Sequence, residues 1–412
     1  MKTVALLVLL ICMVLAGQVR AGELPEQITL NDAVRIAHSQ NPDLAAAAEE
    51  LNVARGQLAQ SSYLSQFNFQ SDNEFAYRTR QNRSNSQDWR VSMLQEFEVF
   101  GQRGLRMKSA SQRVEQSSAE VRDQMRLLTA AVKLTFFDAM RSRQMVQLFE
   151  EIEKLDSRLL EAAGTRLDAG EINQIEFNLA KIRYGQSQRA LILAQENYRL
   201  QRSSFGRLLG GYLGGEPEPA GDLSQPGLTL DLETLGANAR QNRPDLRARQ
   251  LEVARLNTEY ALNSRMNLPN PKIGILLGHD QNTENFGGPA IGFSIPLFNR
   301  RSGEAAVLQA RRRQAEARLR QIDLDIEKQV RDAYHQYLAA RTALQVLESD
   351  VVTPAREGFN LLERAFKEGK IDLLRLAVAE REAFEAQVSY FDAWFGVRSA
   401  EVALELATGS PA

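Results

Sequence analysis

Alternation of apolar and polar residues marks two segments of the chain, at about residues 63–100 and 271–298. Successive side chains of a β-strand point to opposite faces, so each segment predicts two strands with one apolar face. The apolar positions are Phe67, Phe69, Phe75, Tyr77, Trp89, Val91 and Phe97 in the first segment, and Ile273, Ile275, Leu277, Ile291 and Phe293 in the second. The chain therefore contains four predicted amphipathic strands.

Apolar residues at three- and four-residue spacing predict a very long helix from Gly101 to about Ala163, a stretch without proline. At about 1.5 Å per residue it would extend roughly 90 Å. Its counterpart runs from about Ser302 to beyond Leu347, with a break or kink at Pro354. Shorter helices are predicted from about Pro42 to Ser62 and from Pro244 to Met266. By themselves such helices indicate an elongated bundle.

Two glycine-containing turns, at residues 167–173 and 366–372, join the long helices. Gly170 and Gly369 supply the left-handed residue that ends a helix. Asn173 and Asp372 can cap the helix that follows, and a capping box is predicted between Asn173 and Glu176. Ordinary helical turns account for all of these residues. If the long helices form a tube, the topology places both turns at the end far from the predicted strands.

Short matches recur along the chain at a nearly constant offset, which predicts a tandem repeat. Pro42-Asp43-Leu44 returns as Pro244-Asp245-Leu246 at an offset of 202, and Gly170-Glu171-Ile172-Asn173 returns as Gly369-Lys370-Ile371-Asp372 at 199. The first repeat is placed at 22–209 and the second at 229–412. Between them, residues 210–228 form a linker that is too rich in Gly and Pro for regular helix or strand.

The N-terminus has the pattern of a secretory signal peptide. Lys2 precedes an apolar run from Val4 to Leu15 that is too short to span a bilayer, and Val19-Arg20-Ala21 offers a cleavage site. Residues 1–21 are therefore assigned to the signal. The one cysteine, Cys12, lies inside the apolar run behind Ile11, where lipid attachment requires a small residue. The mature chain then has no cysteine.

Charged residues are abundant but balanced, with 50 Lys and Arg against 52 Asp and Glu. The net charge of −2 argues against nucleic-acid binding, which needs a basic excess. His38, His279 and His335 have no second ligand at metal-site spacing. The chain also lacks a nucleophile elbow, a phosphate loop and a dinucleotide motif. The sequence thus predicts no enzyme, no catalytic residue, no metal site and no cofactor.

The predicted strands have the length that a bilayer requires, roughly 9–11 residues, and aromatic residues lie near the ends of their apolar face. That face is therefore expected to contact lipid. Strands in a membrane must close into a barrel, because the backbone N–H and C=O groups of an open sheet edge would have no hydrogen-bond partner in lipid. Four strands are too few, whereas three chains would supply twelve and leave a water-filled interior. The alternative is a periplasmic coiled-coil protein with a soluble sheet.

Several of these features resemble the TolC-like outer-membrane efflux factors over essentially the whole mature chain. They are the double repeat, the Asn41-Pro42-Asp43-Leu44 and Arg243-Pro244-Asp245-Leu246 openings, the two strands in each half and the glycine hairpins. The segment from Gln95 to Arg103, with Arg106 after it, resembles the strand-to-helix junction of the cobalt–zinc–cadmium branch. A Gly-Lys-Arg run is typical there, and Gln102 replaces the lysine.

The resemblance implies a mostly α-helical protomer with a small β part. Three copies would form a twelve-stranded β-barrel in the outer membrane of a Gram-negative bacterium, on a helical tunnel through the periplasm. It further implies a passive export duct, for heavy-metal cations or for drugs and other small molecules. A periplasmic adaptor and an inner-membrane RND-type pump would be its partners.

The resemblance also assigns roles to the hairpins. The expected adaptor-docking tips are Gly170, Glu171, Ile172, Asn173, Gly369, Lys370, Ile371 and Asp372. Some members carry acidic rings at the tunnel entrance, for which Glu176 and Glu368 are the candidates here. Arg375 is the counterpart of Glu176 in the second repeat, and its positive charge argues against a purely acidic aperture.

Overall fold

The computed structural model describes residues 27–63, 70–78, 86–211, 217–221, 231–280, 284–293, 298, 300–368, 370–371 and 373–409. The predicted signal peptide, Phe67, Phe69, Gly369 and Asp372 lie outside these residues. For Phe75 and Tyr77 only the backbone position is described. Every other residue that the sequence singled out for a role can be compared with the structure.

The described elements follow the same order in both halves of the chain. The first half contains β1 (Gln27–Ile28), α1 (Leu30–Gln40), α2 (Pro42–Ser62), β2 (Gln70–Arg78), β3 (Ser86–Glu96), α3 (Gln102–Asp168) and α4 (Gln174–Leu208). The second half contains β4 (Glu218–Pro219), α5 (Leu232–Asn242), α6 (Pro244–Arg265), β5 (Pro271–Asp280), β6 (Glu284–Phe293), α7 (Ser302–Leu347), a π-helix (Glu348–Val352), α8 (Thr353–Lys367) and α9 (Leu373–Thr408). The prediction of a mostly helical chain with few strands is confirmed. The exact repeat boundaries stay a prediction.

The longest helix, α3, has 67 residues and extends about 100 Å at the usual rise per residue. It is five residues longer at its C-terminal end than the sequence predicted, because nothing stops it before the turn at Gly170. The predicted break near Pro354 is the π-helix, and Pro354 is the second residue of α8, which continues directly from that π-helix.

Four antiparallel strands form one sheet in the order β2-β3-β5-β6. The register pairs Phe75 with Trp89, Val91 with Leu277 and Ile273 with Ile291. Directly opposed residues of antiparallel strands share a face, so this pairing collects the apolar positions of all four strands on one side. The two edges of this described sheet are β2, from the first half, and β6, from the second half.

The helices continue the order of the sheet. In the part of the helical bundle next to the sheet, α2 packs on α3, α3 on α6 and α6 on α7. Toward the hairpins, α4 packs on α3, α3 on α9, and α9 on α7 and α8. At every level the elements of the first half therefore form one margin of the folded chain, with β2, α2 and α4. Those of the second half form the opposite margin, with β6, α7 and α8.

The hydrophobic core lies between these two ends, where the short helices α1 and α5 meet α3, α7 and α9. Phe136 contacts Phe205 edge to face, and Phe137 contacts Trp394 in the same way. The two-stranded parallel pair of β1 and β4 lies beside this core and ties the N-terminal segment to the segment between the halves. The core therefore fixes the two halves to each other at mid-length.

Candidate functional site

The strand-to-helix junction is held together by Gln102, the first residue of α3, which is buried. Its Oε1 accepts a hydrogen bond from the backbone N–H of Phe100 at 3.0 Å. Its Nε2 donates to the carbonyl oxygen of Arg265 at 3.2 Å and to Oδ1 of Asn270 at 2.9 Å. A lysine could donate to these oxygens but could not accept from Phe100. Glutamine thus joins the start of α3 to the end of α6.

The two arginines of the same motif join the junction to α2. Arg103 donates from Nε and Nη2 to the carbonyl oxygen of Ser62, at 3.0 and 2.7 Å. Arg106 forms a two-pronged ion pair with Glu98, at 2.6 and 2.9 Å. A forked guanidinium suits such paired acceptors. The motif that resembled the cobalt–zinc–cadmium branch therefore ties the strand-to-helix junction to the ends of α2 and α6.

The first hairpin tip has the geometry that its sequence predicted. Gly170 is left-handed, with a φ of 71°, and the N–H of Glu171 donates to the carbonyl of Arg166 at 2.9 Å. Asn173 caps α4 and forms a capping box with Glu176. Glu171 and Asn173 are exposed, and Ile172 is half-buried.

The second hairpin tip lies beside the first. The guanidinium of Arg166, in α3, lies 5.1 Å from the ring centroid of Phe366, in α8. Lys370 is exposed and its Nζ lies 2.6 Å from Oε2 of Glu368, while Ile371 is half-buried. The structure therefore brings the described tip residues of both repeats to one end of the bundle, opposite the sheet.

The three residues proposed for the aperture differ in their surroundings. Glu176 is exposed, but its carboxylate accepts a hydrogen bond from the backbone N–H of Asn173 at 3.2 Å. Glu368 is paired with Lys370, and Arg375 is exposed. The acidic charge at this end is therefore partly compensated within one chain. Their roles at an aperture stay a prediction.

A buried charged cluster near the tips was missed by the sequence analysis. Nη2 of Arg183, in α4, contacts Oε2 of Glu380, in α9, and lies 3.2 Å from Oδ1 of Asp156, in α3. Both carboxylates are buried. By helical rise, the three residues lie about 10–18 Å from the hairpins. One guanidinium thus connects three helices of the two halves. No local pattern marks it, because its members are far apart in sequence.

One guanidinium cannot balance two carboxylates in this cluster. Burial raises the pKa of Glu380 to about 7, although Arg183 acts in the opposite direction and Asp156 adds to the rise. Burial also raises the pKa of Asp156, again against the attraction of Arg183. Near neutral pH the cluster therefore exchanges a proton, which is unusual for a carboxyl group.

The apolar face of the sheet is open to solvent in the single chain. Trp89 and Phe97 are exposed, and so are Ile273, Ile275, Leu277, Ile291 and Phe293, while Val91 is half-buried. Phe97 follows the last residue of β3, and its N–H donates to the carbonyl of Pro271 at 2.9 Å. A contiguous apolar surface of this kind marks a site of contact with lipid or protein.

The described helices and the polar side chains complete the description of the surface. None of the described helices combines the length and apolar character needed to cross a membrane. Within the described residues, no three His, Cys, Asp or Glu side chains gather into a metal site. Nε2 of His38 lies 2.8 Å from Oγ1 of Thr129, and Nδ1 of His279 lies 3.1 Å from Oδ1 of Asn285.

Long paired helices, a small amphipathic sheet at one end and two hairpin tips at the other form the fold of TolC-like channel proteins. The chain belongs to the outer membrane efflux protein family, whose sequence model matches residues 33–211 and 235–410. This confirms the resemblance drawn from the sequence. The family is one of outer membrane proteins by its description, and the similar solved structures include the outer membrane channels OprN and CmeC.

Individual relatives agree with this assignment. The chain is 25% identical over 372 residues to the cobalt-zinc-cadmium resistance protein CzcC of Cupriavidus metallidurans, covering 88% of this chain and 85% of CzcC. The outer membrane channel CmeC of Campylobacter jejuni has the same fold, with a TM-score of 0.80, 14% identity and coverage of 92% and 85%. For CusC the TM-score is 0.77, with 17% identity and coverage of 93% and 92%.

Proposed function

We propose that three copies of this chain form an export channel for heavy-metal cations in the outer membrane of a Gram-negative bacterium. The observation that carries the proposal is the sheet. Its register collects the apolar residues of four strands on one face, and each edge strand, β2 and β6, is paired on one side only within the described part of the chain. Three such sheets supply twelve strands, enough for a closed barrel around water.

In this proposal the helical part continues the barrel as a tunnel. The helices follow the order of the strands, so the margins that close the barrel also close the tunnel. The helices of α3 reach about 100 Å from the strands, a length suited to crossing the periplasm. The channel is passive, and a periplasmic adaptor with an inner-membrane RND-type pump supplies energy and substrate selection.

The metal substrate is proposed from the similarity to CzcC, whose name states cobalt, zinc and cadmium resistance. A channel of this kind needs no metal-binding cluster of its own, since a pump upstream would select the cation. The balanced charge of the chain is compatible with a wide aqueous duct.

Deleting the gene is expected to lower the tolerance of its host to Co²⁺, Zn²⁺ and Cd²⁺, because cations would no longer leave through the outer membrane. Growth at graded metal concentrations measures the effect, and a plasmid copy should restore it. Tolerance to hydrophobic antibiotics is measured in parallel. Unchanged metal tolerance together with antibiotic sensitivity would show a duct for other small molecules instead.

The tips are the proposed docking site for the adaptor, and Gly170→Val tests this. A Cβ at Gly170 would meet no atom within 4 Å, so the change acts through its left-handed backbone, at about 1–2 kcal/mol. That is too little to unfold the bundle, but it would displace Ile172 and Asn173. We expect normal amounts of assembled channel and a metal tolerance close to that of the deletion strain.

The matched control for this experiment is Gly185→Val, inside α4. A Cβ at Gly185 also meets no atom within 4 Å, and the backbone there is helical. It should leave both channel abundance and metal tolerance near wild type. Full tolerance in the Gly170→Val strain would place the docking surface elsewhere, and loss of the assembled channel would make the glycine structural.

A further inference from the structure

The strand-to-helix junction carries exposed apolar side chains where the apolar face of the sheet ends. Phe97 and Val99 follow β3 and are 42% and 59% exposed, Leu268 precedes β5, and Phe298, which is fully exposed, precedes α7. Phe97 and Val99 continue the apolar positions of β3 toward the helices. Large apolar side chains at the end of a lipid-facing surface are typical of the level at which acyl chains meet headgroups. We refer to these four residues as the junction collar.

Two cations lie just beyond the junction collar, and no described residue neutralises them. Lys108, in the second turn of α3, and Arg265, the last residue of α6, are both exposed. Within the residues that the structure describes, neither side chain has an ion pair or a hydrogen bond. The nearby Arg106 is by contrast paired with Glu98. Two positive charges therefore remain uncompensated at the sheet end of the bundle.

Lys108 lies on the side of α3 that faces away from the polar side of the sheet. Glu98 continues the polar positions of β3, and Arg106 forms its ion pair with Glu98. Arg106 therefore marks the polar side of α3. Two residues further along a helix lie about 200° around it, so Lys108 is on nearly the opposite side. In the proposed channel that side is turned toward lipid.

Arg265 lies on the same side of the layer of helices as Lys108. Lys108 and Glu115 are about two turns apart and therefore lie on one stripe of α3. Oε2 of Glu115 lies 4.0 Å from Nη2 of Arg247, in α6. Arg247 and Arg265 are about five full turns apart, so they share one line along α6. The two cations therefore border the same groove between α3 and α6.

The directions of the two side chains bring their charges to one level. α3 begins at the sheet and α6 ends there, and the carbonyl oxygen of Arg265 accepts a hydrogen bond from Gln102 at the start of α3. Side chains lean toward the N-terminus of their helix, so Lys108 leans back toward the sheet and Arg265 leans away from it. The Cα of Lys108 lies about 9 Å from the start of α3. A headgroup layer is roughly 5–8 Å deep, so both cationic groups lie at its depth.

The groove between α3 and α6 stays open when copies of the chain assemble. In this part of the bundle the helices follow the order α2, α3, α6 and α7, so α3 and α6 lie away from both margins. Copies that meet at their margins, where the sheet edges also lie, leave this groove facing outward. The junction collar lies at its sheet end. Lipid, and not a second chain, therefore surrounds the groove.

We propose that Lys108 and Arg265 bind the phosphate of an anionic phospholipid in the periplasmic leaflet of the outer membrane, while the junction collar contacts its acyl chains. The inference rests on the proposed outer-membrane channel and names a lipid class for the periplasmic end of its barrel. Lys108 supplies a point charge and Arg265 a fork of donors, a combination that suits the oxygens of one phosphate.

The charge of the site favours a lipid with a net negative charge. Phosphatidylethanolamine carries its own ammonium group, which compensates its phosphate. Phosphatidylglycerol has no such group, so its charge is available to the two cations. A Lys or Arg near a membrane surface strengthens binding to anionic lipid about five-fold, the equivalent of about 1 kcal/mol. Together the two cations should favour phosphatidylglycerol by about 25-fold.

Native mass spectrometry of the purified channel in neutral detergent tests the site, with phosphatidylglycerol or phosphatidylethanolamine added at graded concentrations. We expect one phosphatidylglycerol per chain to bind about 25-fold more tightly than phosphatidylethanolamine. Lys108→Gln combined with Arg265→Gln should remove this preference, and each single substitution should lower it about five-fold. The same spectra count the chains in each particle and so show whether the variants assemble.

Two controls separate the site from the overall charge of the chain. Lys181→Gln with Arg189→Gln removes one exposed lysine and one exposed arginine from α4, near the tip end of the bundle, and should leave the lipid preference unchanged. Lys108→Arg with Arg265→Lys keeps both charges and should retain most of the preference. Equal loss in the two Gln double variants, or no loss at Lys108 and Arg265, would overturn the proposal.

Soluble glycerol 1-phosphate distinguishes a lipid site from a site for free phosphate esters. It should not displace phosphatidylglycerol, because it lacks the acyl chains that the junction collar contacts. Displacement at the concentrations at which the lipid binds would overturn the assignment to lipid. Particles of three chains with no lipid preference would refute the lipid site and leave the channel standing. Particles of a single chain would refute the channel and the lipid site together.

Discussion

Replacing Arg183 with methionine is expected to destabilise the tip end of the bundle by about 3–5 kcal/mol at pH 8. Methionine fills much of the same space but leaves Asp156 and Glu380 buried without a cation, and removing one partner of a buried ion pair has a cost of this size. A bundle this long opens locally before it unfolds as a whole, so the effect belongs to the segments around the cluster. Amide hydrogen exchange near residues 156, 183 and 380 should accelerate, while exchange in the central core stays unchanged.

Two further variants separate charge from packing. Arg183→Met combined with Asp156→Asn and Glu380→Gln removes all three charges and should recover much of the protection. Arg199→Met breaks an exposed pair with Glu196 at 4.0 Å and should change little, since exposed pairs contribute about 0–1 kcal/mol. Wild-type exchange rates in the single Arg183 variant at pH 8 would show that the cluster does not hold these helices together.

The pH dependence has a definite sign. The pKa of Glu380 in the folded chain is raised to about 7 from an ordinary value of 4.5, so the folded state binds a proton that the unfolded state releases. The resulting stabilisation is complete below pH 4.5 and is lost as the pH rises through 7. Local protection at the cluster should therefore fall between pH 5 and 8, and Glu380→Gln should flatten this change.

The sequence predicted features that neighbouring residues determine, and it missed features that depend on residues far apart in the chain. Apolar spacing is local, so the ends of α2 and α6 and the alternation within β3 and β5 were predicted closely. The capping box of Asn173 and Glu176 is also local, and the structure confirms it. The pairing of β3 with β5 joins the two halves, and nothing within either segment specifies it.

Residues whose partners are distant in sequence were the ones whose importance was missed. Gln102 was noted as a departure from a motif, but its buried contacts reach Arg265 and Asn270, more than 160 positions away. Arg301 shows a related limit. It has a left-handed φ of 53° at the N-cap of α7, where α3 has Gly101, and glycine is the residue expected for that conformation. Gly101 and Arg301 are therefore structurally equivalent but different residues, and a search for identical residues in the two repeats does not align them.

The sheet register supports the second prediction, which has a large expected effect on assembly. Val91 lies in the middle of β3, opposite Asn73 on one neighbour and Leu277 on the other. It belongs to the face that the apolar residues of all four strands share, which the proposed barrel turns toward lipid. Val91→Arg should then cost about 2–4 kcal/mol in each chain if it lies near the middle of the bilayer. A channel of three chains would contain this substitution three times.

The matched control is Ser92→Arg, one residue further along the same strand and on the opposite face. Ser92 lies opposite Asp72 and Leu276, on the face that the proposed barrel turns toward its water-filled interior. A charge there stays hydrated, so Ser92→Arg should assemble nearly as well as the unmodified chain. Ile275→Arg, on β5 and on the same face as Val91, should fail as Val91→Arg does.

The measurement for these variants is the amount of folded oligomer in outer-membrane fractions, resolved on gels without heating and compared with the total chain in each cell. We expect Val91→Arg and Ile275→Arg to leave little oligomer and Ser92→Arg to leave most of it. The reverse order would mean that the polar face meets lipid, because a shift of one residue exchanges the two faces of a strand. Equal and high yields from all three variants would mean that neither face of the sheet contacts lipid, since only a lipid environment makes an exposed arginine on one face so much more costly than on the other.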